Sequence, residues 1–191
     1  NWSSFTRLEK LIVPYKCYNY QVYRNFQNME SLKYVSLEGV DIICEGAFEN
    51  CTKLEYVYLN SCKVIRSRAF YKCTSLSEIS IPNVTNINSY SFYRTSIKSI
   101  NLNNINVISE HCFDSCQQLE SVQFNSAFSL GQYAFNNCIS LQSISCLKLQ
   151  ELGPYCFYSC AKLSNVSFPN LVITESFSFY GTSIEKVEFP C

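Results

Sequence analysis

The sequence predicts an α/β repeat solenoid, in which each coil contributes one short β-strand and about two helical turns. Three observations support this fold class. An aromatic residue recurs every 21 to 24 residues, a leucine or isoleucine follows it at a nearly constant distance, and apolar residues then alternate with polar ones. A fixed period in the twenties indicates stacked repeats, because a single coil cannot bury its own apolar edge.

The aromatic residue that opens each unit defines the repeat boundaries. These residues are Trp2, Phe26, Phe48, Phe70, Phe92, Phe113, Phe135, Phe157 and Phe179. We expect one solenoid domain over residues 1–191, with a degenerate first coil at 1–25, seven repeats of 21 or 22 residues at 26–178 and a truncated last repeat at 179–191. Because the chain begins and ends inside a repeat, we expect it to be part of a longer protein.

The strand of each unit is predicted from two apolar residues that flank one polar residue. Pairs such as Val57/Leu59 and Ile79/Ile81 stand nine and eleven residues after the opening aromatic. A period of two with β-branched side chains is typical of a strand that buries one face. Pro82 directly follows one of these strands, and proline ends a ladder because it has no N–H donor.

The segment around the opening aromatic changes to a period of four. Ile65, Ala69 and Cys73 stand at i, i+4 and i+8, and the same spacing recurs at residues 130–138 and 152–160. On a helix, this spacing places all three side chains on one face. We therefore expect short helices or helical turns on the side of the coil that lies opposite the strand.

Two units depart from the pattern together. The units that open at Phe92 and Phe179 lack one residue, and Thr95 and Thr182 stand where other units have cysteine. This pattern predicts a tighter loop in both units, with a hydroxyl in place of a thiol.

The repeated phrase resembles a known family. Residues 65–82 follow the pattern I-x-x-x-A-F-x-x-C-x-x-L-x-x-I-x-I-P, which is similar to the BspA-like class of leucine-rich repeats, and the likeness covers nearly the whole chain. The resemblance implies a right-handed, curved solenoid with a parallel β-sheet on its concave side. It also implies a protein of the microbial cell surface, or a secreted one, that binds host or bacterial partners.

Charge and hydropathy exclude two kinds of partner. Fifteen basic residues balance fifteen acidic ones, and no basic run is present. Nucleic acid and anionic membrane surfaces are therefore poor candidates as partners. No apolar stretch approaches 18 residues, so we expect no direct membrane insertion in this segment.

The twelve cysteines follow the repeat rather than a disulfide framework. One column holds Cys51, Cys73, Cys116, Cys138 and Cys160, and a second holds Cys112 and Cys156. We expect free, buried thiols in these columns, because stacked side chains point the same way and disfavour the disulfide dihedral. A bridge is left open among the cysteines outside the columns, which are Cys17, Cys44, Cys62, Cys146 and Cys191.

No arrangement typical of metal binding or catalysis is predicted. The spacing of Cys112 and Cys116 is C-x₃-C, whereas structural zinc commonly uses C-x₂-C. The single histidine, His111, is expected to be a solvent-facing residue, because the repeat brings no nucleophile and carboxylate to it. We therefore expect no cofactor and no enzymatic activity.

The candidate binding surface is the outward face of the strands. The residues singled out there are Tyr34, Tyr56, Tyr58, Glu78, Asn101 and Gln123. Tyrosine is enriched at binding hot spots, so Tyr34, Tyr56 and Tyr58 could form the centre of a binding patch. The alternative is that the three rings only pack on one another along the sheet.

The sequence thus predicts a non-catalytic recognition module. We expect it to bind a protein or glycan on a host or neighbouring cell through the concave sheet face, in cell-surface adhesion or host interaction. The alternative is an intracellular structural scaffold, which is favoured by unpaired, buried cysteines. Either protein could form oligomers through the ends of the solenoid.

Overall fold

The chain folds as a parallel β-solenoid of about seven turns. The structure, a computed structural model, describes residues 7–13 and 26–185. Most of the degenerate first coil, the last residues 186–191, and the cysteines Cys17 and Cys191 lie outside the described residues. Within the described residues, no helix has the length and apolar character that a membrane span requires.

One strand in each coil forms the first sheet. These strands are β1 (Lys10–Val13), β2 (Tyr34–Leu37), β4 (Tyr56–Tyr58), β6 (Glu78–Ser80), β8 (Ser99–Asn101), β10 (Ser121–Gln123), β12 (Ser143–Ser145) and β14 (Asn165–Ser167). Neighbouring strands pair in parallel, and Val35, Val57 and Ile79 lie side by side. The predicted alternation of apolar and polar residues is confirmed, because Val35 and Val57 are fully buried while their neighbours on β2 and β4 are partly exposed.

A second, shorter strand in each coil forms a second sheet. These strands are β3 (Ile42–Ile43), β5 (Val64–Ile65), β7 (Asn86–Ile87), β9 (Val107–Ile108), β11 (Ser129–Leu130), β13 (Glu151–Leu152) and β15 (Ile173–Thr174). Their pairing is also parallel, with Ile43, Ile65 and Ile87 in register. The second residue of each short strand from β3 to β13 is buried, so both sheets enclose the same core.

A continuous stack of phenylalanine rings runs through the core. The rings of Phe26, Phe48, Phe70, Phe92, Phe113, Phe135, Phe157 and Phe179 lie 5.3 to 5.7 Å apart between centroids. The leucines that stand six residues after the first three of these phenylalanines are fully buried; they are Leu32, Leu54 and Leu76. The opening aromatic of each unit is therefore the central packing element of the solenoid.

The cysteine column is buried and unbridged, as predicted. Every described cysteine is free. The column thiols donate to the carbonyl of the opening aromatic one coil earlier; for example, the Cys73 Sγ lies 3.0 Å from the Phe48 oxygen. Thr95 differs from them, because its hydroxyl bonds the Phe92 carbonyl of its own coil at 3.0 Å.

The prediction of helices opposite the strands is wrong. The described residues contain no α-helix, and Ile65, which was placed on a helix with Ala69 and Cys73, belongs to the short strand β5. The turn side of each coil, residues 66–76 and their equivalents, alternates two kinds of hydrogen bond. The Tyr71 N–H donates to the Arg68 carbonyl within the same turn, whereas the Lys72 N–H donates to the Tyr93 carbonyl of the next coil.

Left-handed backbone conformations prevent the helix. Arg68 and Lys72 have φ of 58° and 57°, and the equivalent residues of the other units repeat these values. A residue in the left-handed region cannot continue a right-handed helix. Since each coil instead donates N–H groups to the next, bonds between coils replace the helical ladder.

Both sheets are interrupted at the 21-residue coil. Within the described residues, the hydrogen-bonded order of the first sheet breaks between β6 and β8, and again between β10 and β12, while the second sheet breaks between β7 and β9. The residue that is missing after Phe92 lies between β6 and β8. Across the break between β7 and β9, the Ser109 hydroxyl donates to the Ile87 carbonyl at 2.8 Å. At the equivalent position one coil later, the backbone N–H of Gly131 donates to the Ile108 carbonyl.

Candidate binding surface

The outward residues of the first sheet, here called the strand face, stand in straight rows across the coils. Parallel register places Tyr34, Tyr56 and Glu78 in one row, and Ser36, Tyr58 and Ser80 in the next. Side chains of one row point the same way because strand residues alternate between the two faces. The backbone ladder therefore holds the three tyrosines at fixed positions on adjacent coils.

Tyr34, Tyr56 and Tyr58 form a half-buried cluster, here called the tyrosine patch. The Tyr34 and Tyr58 rings lie 5.6 Å apart between centroids and are tilted by 38°. The Lys10 ammonium sits 4.6 Å from the centroid of the Tyr34 ring. Tyr56 makes no ring–ring contact with another described residue, so mutual packing accounts for two of the three rings.

The other predicted site residues fall on both sides of the sheet interruption. Glu78 is exposed on β6 and belongs to the same four-stranded group as the tyrosine patch. Asn101 and Gln123 are exposed register partners on β8 and β10, which form a separate pair. The predicted residues thus share one face, but they divide into two clusters.

Sequence reasoning missed a second aromatic surface on the turn side. The aromatic ladder consists of Tyr90, His111, Tyr133, Tyr155 and Phe177, whose rings stack in that order with centroid distances of 4.4, 4.7, 4.8 and 5.2 Å. All five residues have positive φ, so the left-handed turn repeats and projects each ring onto the previous one. The recurrence of aromatic residues in one column was the available signal.

His111 is a half-buried member of this ladder, so its prediction as a solvent-facing residue is wrong. Its Nδ1 lies 2.7 Å from Oδ2 of Asp114, which is almost fully buried. The other Asp114 oxygen accepts from the Ser115 hydroxyl at 2.8 Å and from the Asn136 amide at 2.9 Å. These bonds satisfy a buried carboxylate and fix the turn.

The thiols of Cys51, Cys62 and Cys73 are poor nucleophiles. Burial raises the pKa of Cys51 to about 12 and that of Cys62 to about 11, and it holds the pKa of Cys73 well above its ordinary value. Reactive cysteines need a thiolate near neutral pH. Within residues 7–13 and 26–185, no three His, Cys, Asp or Glu side chains converge as a metal site would require.

The repeat matches the model of a known family. The family model for the BspA type leucine rich repeat region matches the chain in six copies, over residues 3–120 and 85–191. No curated protein is similar enough to the chain to count as a match.

Solved structures with the same architecture come from several bacteria. A leucine-rich repeat protein of T. pallidum is 28% identical, with a TM-score of 0.73 over 81% of this chain and 78% of that one. A leucine rich cell surface protein of Faecalibacterium prausnitzii is 24% identical, with a TM-score of 0.73 over 84% of this chain. A leucine-rich repeat protein of Bacteroides ovatus is 22% identical, with a TM-score of 0.52 over 92% of this chain. The chain spans only 48% of the Faecalibacterium protein and 59% of the Bacteroides protein.

Proposed function

The chain belongs to the BspA type leucine-rich repeat family, and we propose that it is a non-catalytic recognition module that binds a protein partner through its strand face. Leucine-rich repeat proteins are typically protein-interaction modules. The tyrosine patch is the centre of the proposed interface, and Glu78, Asn101 and Gln123 lie toward its rim.

The observation that carries this proposal is the fixed placement of three tyrosines on two adjacent strands. Tyr34 and Tyr58 hold one another in place, and Tyr56 shares their face without a ring partner among the described residues. A rigid aromatic side chain loses little entropy on binding, and its hydroxyl adds a directional hydrogen bond. Lys10 and Glu78 flank the patch with opposite charges, which suits a partner of mixed charge.

We place the module on the cell surface or in the secreted fraction. The Faecalibacterium structure, which shares the fold, belongs to a cell surface protein, and this supports the proposal by analogy. The specific role would be adhesion or interaction with a host or neighbouring cell.

An intracellular scaffold is the second candidate, and the free thiols favour it. All ten described cysteines are buried and unbridged, which is the usual state in a reducing compartment. Titration of thiols in denatured, unreduced protein purified from its native source separates the two candidates. A count near twelve favours the scaffold, whereas a count near ten, which leaves Cys17 and Cys191 for a bridge, favours export.

The binding proposal is tested with two triple variants and an array of purified extracellular proteins. One variant carries Tyr34→Ala, Tyr56→Ala and Tyr58→Ala; the control carries Ser143→Ala, Ser145→Ala and Asn165→Ala on the same face. We expect a partner that wild type and control bind equally and that the tyrosine variant binds at least about tenfold more weakly. A tyrosine variant that keeps both its melting temperature and its affinity for that partner would refute the proposal.

A further inference from the structure

A shallow polar groove lies along the turns that lead from the strands of the first sheet to those of the second, and no residue of the strand face lines it. It is lined by Asn106, Ser126, Phe128, Lys148, Gln150 and Asn170 and encloses about 470 Å³. Small-molecule sites typically enclose roughly 300 to 1,000 Å³, so the groove is large enough for a ligand. None of its residues belongs to the tyrosine patch or to the aromatic ladder.

The backbone holds the groove rigid across three coils. The Phe128 N–H donates to the Asn106 carbonyl at 2.9 Å, and the Gln150 N–H donates to the Phe128 carbonyl at 2.9 Å. The residues just before them, Ala127 and Leu149, are fully buried. Phe128 is therefore fixed in the middle of an outward column, with one amide side chain on each side at the spacing of adjacent strands.

Phe128 is a partly exposed ring that lies outside the core stack. Its side chain is 43% exposed, whereas the phenylalanines of the core stack from Phe48 to Phe157 are fully buried. Phe128 forms no ring–ring contact with another described residue, unlike the members of the aromatic ladder. Contact between an apolar ring and water is unfavourable, so a ligand that covers the exposed part of the ring gains binding free energy.

The polar groups around the ring are almost all neutral. Asn106, Gln150 and Asn170 supply amides, Ser126 supplies a hydroxyl, and Lys148 supplies the single charge of the lining. The Asn170 amide nitrogen donates to the Leu147 carbonyl, which leaves its carbonyl oxygen to accept from a ligand. A ligand that matches this lining has a flat C–H face for the ring and several hydroxyls around its edge.

We propose that this groove is a glycan-binding site, in which a pyranose ring packs on Phe128 and its hydroxyls bond the surrounding amides. The site is separate from the protein interface on the strand face. A module with both sites would bind a protein through the first sheet and a polysaccharide through the turns that follow it.

The test uses affinity electrophoresis of the whole chain in gels that contain mannan, β-glucan, xyloglucan, galactan or polygalacturonate. We expect at least one polysaccharide to retard wild type, and Phe128→Ala to weaken that binding at least about tenfold. Phe128→Tyr should bind like wild type because it keeps the ring. Val107→Ala is the matched control, since Val107 is 42% exposed on the neighbouring strand β9 but does not line the groove.

Lys148→Met distinguishes an acidic glycan from a neutral one. If this variant binds polygalacturonate more weakly than wild type does, the ligand is an acidic glycan. If it binds a neutral polymer as strongly as wild type does, the ligand is a neutral glycan; both outcomes support the site. The proposal is overturned if none of the five polymers retards wild type, or if Phe128→Ala is retarded as strongly as wild type. A Phe128-dependent ligand that comes only from a random peptide library overturns it in favour of peptide binding. The tyrosine variant should keep its glycan binding, so failure of one site is distinguishable from failure of the other.

Discussion

The aromatic ladder and the tyrosine patch are both built from aromatic side chains on adjacent coils, yet their rings make different contacts. In the ladder, Tyr133 has His111 on one face at 4.7 Å and Tyr155 on the other at 4.8 Å. In the patch, Tyr34 and Tyr58 make one tilted contact, and Tyr56 has no ring neighbour among the described residues. An aromatic column thus covers both faces of its inner rings when it continues through the coils, and leaves ring faces uncovered when it stops.

The length of each column explains the difference. The ladder column is aromatic in five consecutive units, from Tyr90 to Phe177, so each inner ring is covered on both sides. The row that contains Tyr34 and Tyr56 continues with Glu78, and the row that contains Tyr58 continues with Ser80. Neither row of the patch therefore has an aromatic residue on the coil after Tyr56 and Tyr58.

The largest effect on stability is expected from the centre of the ladder. Tyr133→Ala removes two stacked contacts and half-buried apolar area, so it should lower the free energy of unfolding by about 2–3 kcal/mol. The positive φ of Tyr133 does not contribute to the difference in stability, because tyrosine and alanine are both strained in this conformation. Urea denaturation measures the loss, and a loss below that of Tyr56→Ala would contradict the structural role of the ladder.

A smaller loss is expected from the carboxylate that anchors His111. Asp114→Asn keeps the size of the side chain but removes the charge opposite His111 and alters the bonds from Ser115 and Asn136. We expect the free energy of unfolding to fall by about 1–2 kcal/mol. Glu110→Gln, on an exposed neighbour, is the control and should change it by less than about 0.5 kcal/mol.

A still smaller loss is expected in the patch. Tyr58→Ala removes the ring contact between Tyr34 and Tyr58, which is worth about 0.5–1 kcal/mol in a sheet. The same denaturation experiment measures it, with Ser80→Ala as a control in the same row. A loss as large as that of Tyr133→Ala would show that the patch is part of the framework.

The smallest effect at neutral pH is expected from Tyr90→Phe, which keeps the ladder ring and removes its hydroxyl. Burial, and then the carboxylates of Glu110 and Asp114, raise the pKa of Tyr90 above its ordinary value of 10.0. The folded protein therefore holds the phenol proton more tightly than the unfolded chain. The stability from this group is complete below pH 10.0 and is lost as the pH rises through the raised pKa.

Denaturation of wild type and Tyr90→Phe at about pH 8 and about pH 11 isolates this group from the buried thiols, which are common to both proteins. The variant should gain stability relative to wild type at the higher pH. A difference between the two proteins that does not change with pH would contradict the assigned titration.

The core could be predicted from the sequence because each core column is occupied by residues of similar size and polarity in most units. The phenylalanine stack, the buried leucines and the free thiols follow directly from the columns that open at Phe48 and Phe70. The turn side could not, because the spacing of Ile65, Ala69 and Cys73 suits a helix as well as a series of tight turns. Arg68 and Lys72 occupy left-handed positions without the glycine that would have revealed them.

The candidate site could be predicted only in part. Alternation along the strands placed Tyr56 and Glu78 on the outward face, and the structure agrees. The sheet interruption, which separates Asn101 from Glu78, depends on which backbone groups of neighbouring coils are paired, and the sequence of a single repeat does not specify this pairing. The missing residue after Phe92 indicates which coil is irregular, but it does not predict that the sheet is interrupted there.

The most direct test of this account compares two triple alanine variants by urea denaturation, one at Tyr90, Tyr133 and Tyr155 and the other at Tyr34, Tyr56 and Tyr58. If covered ring faces distinguish a framework from a binding surface, the ladder variant loses at least about twice as much unfolding free energy as the patch variant. Equal losses, or a greater loss in the patch, would contradict the central claim.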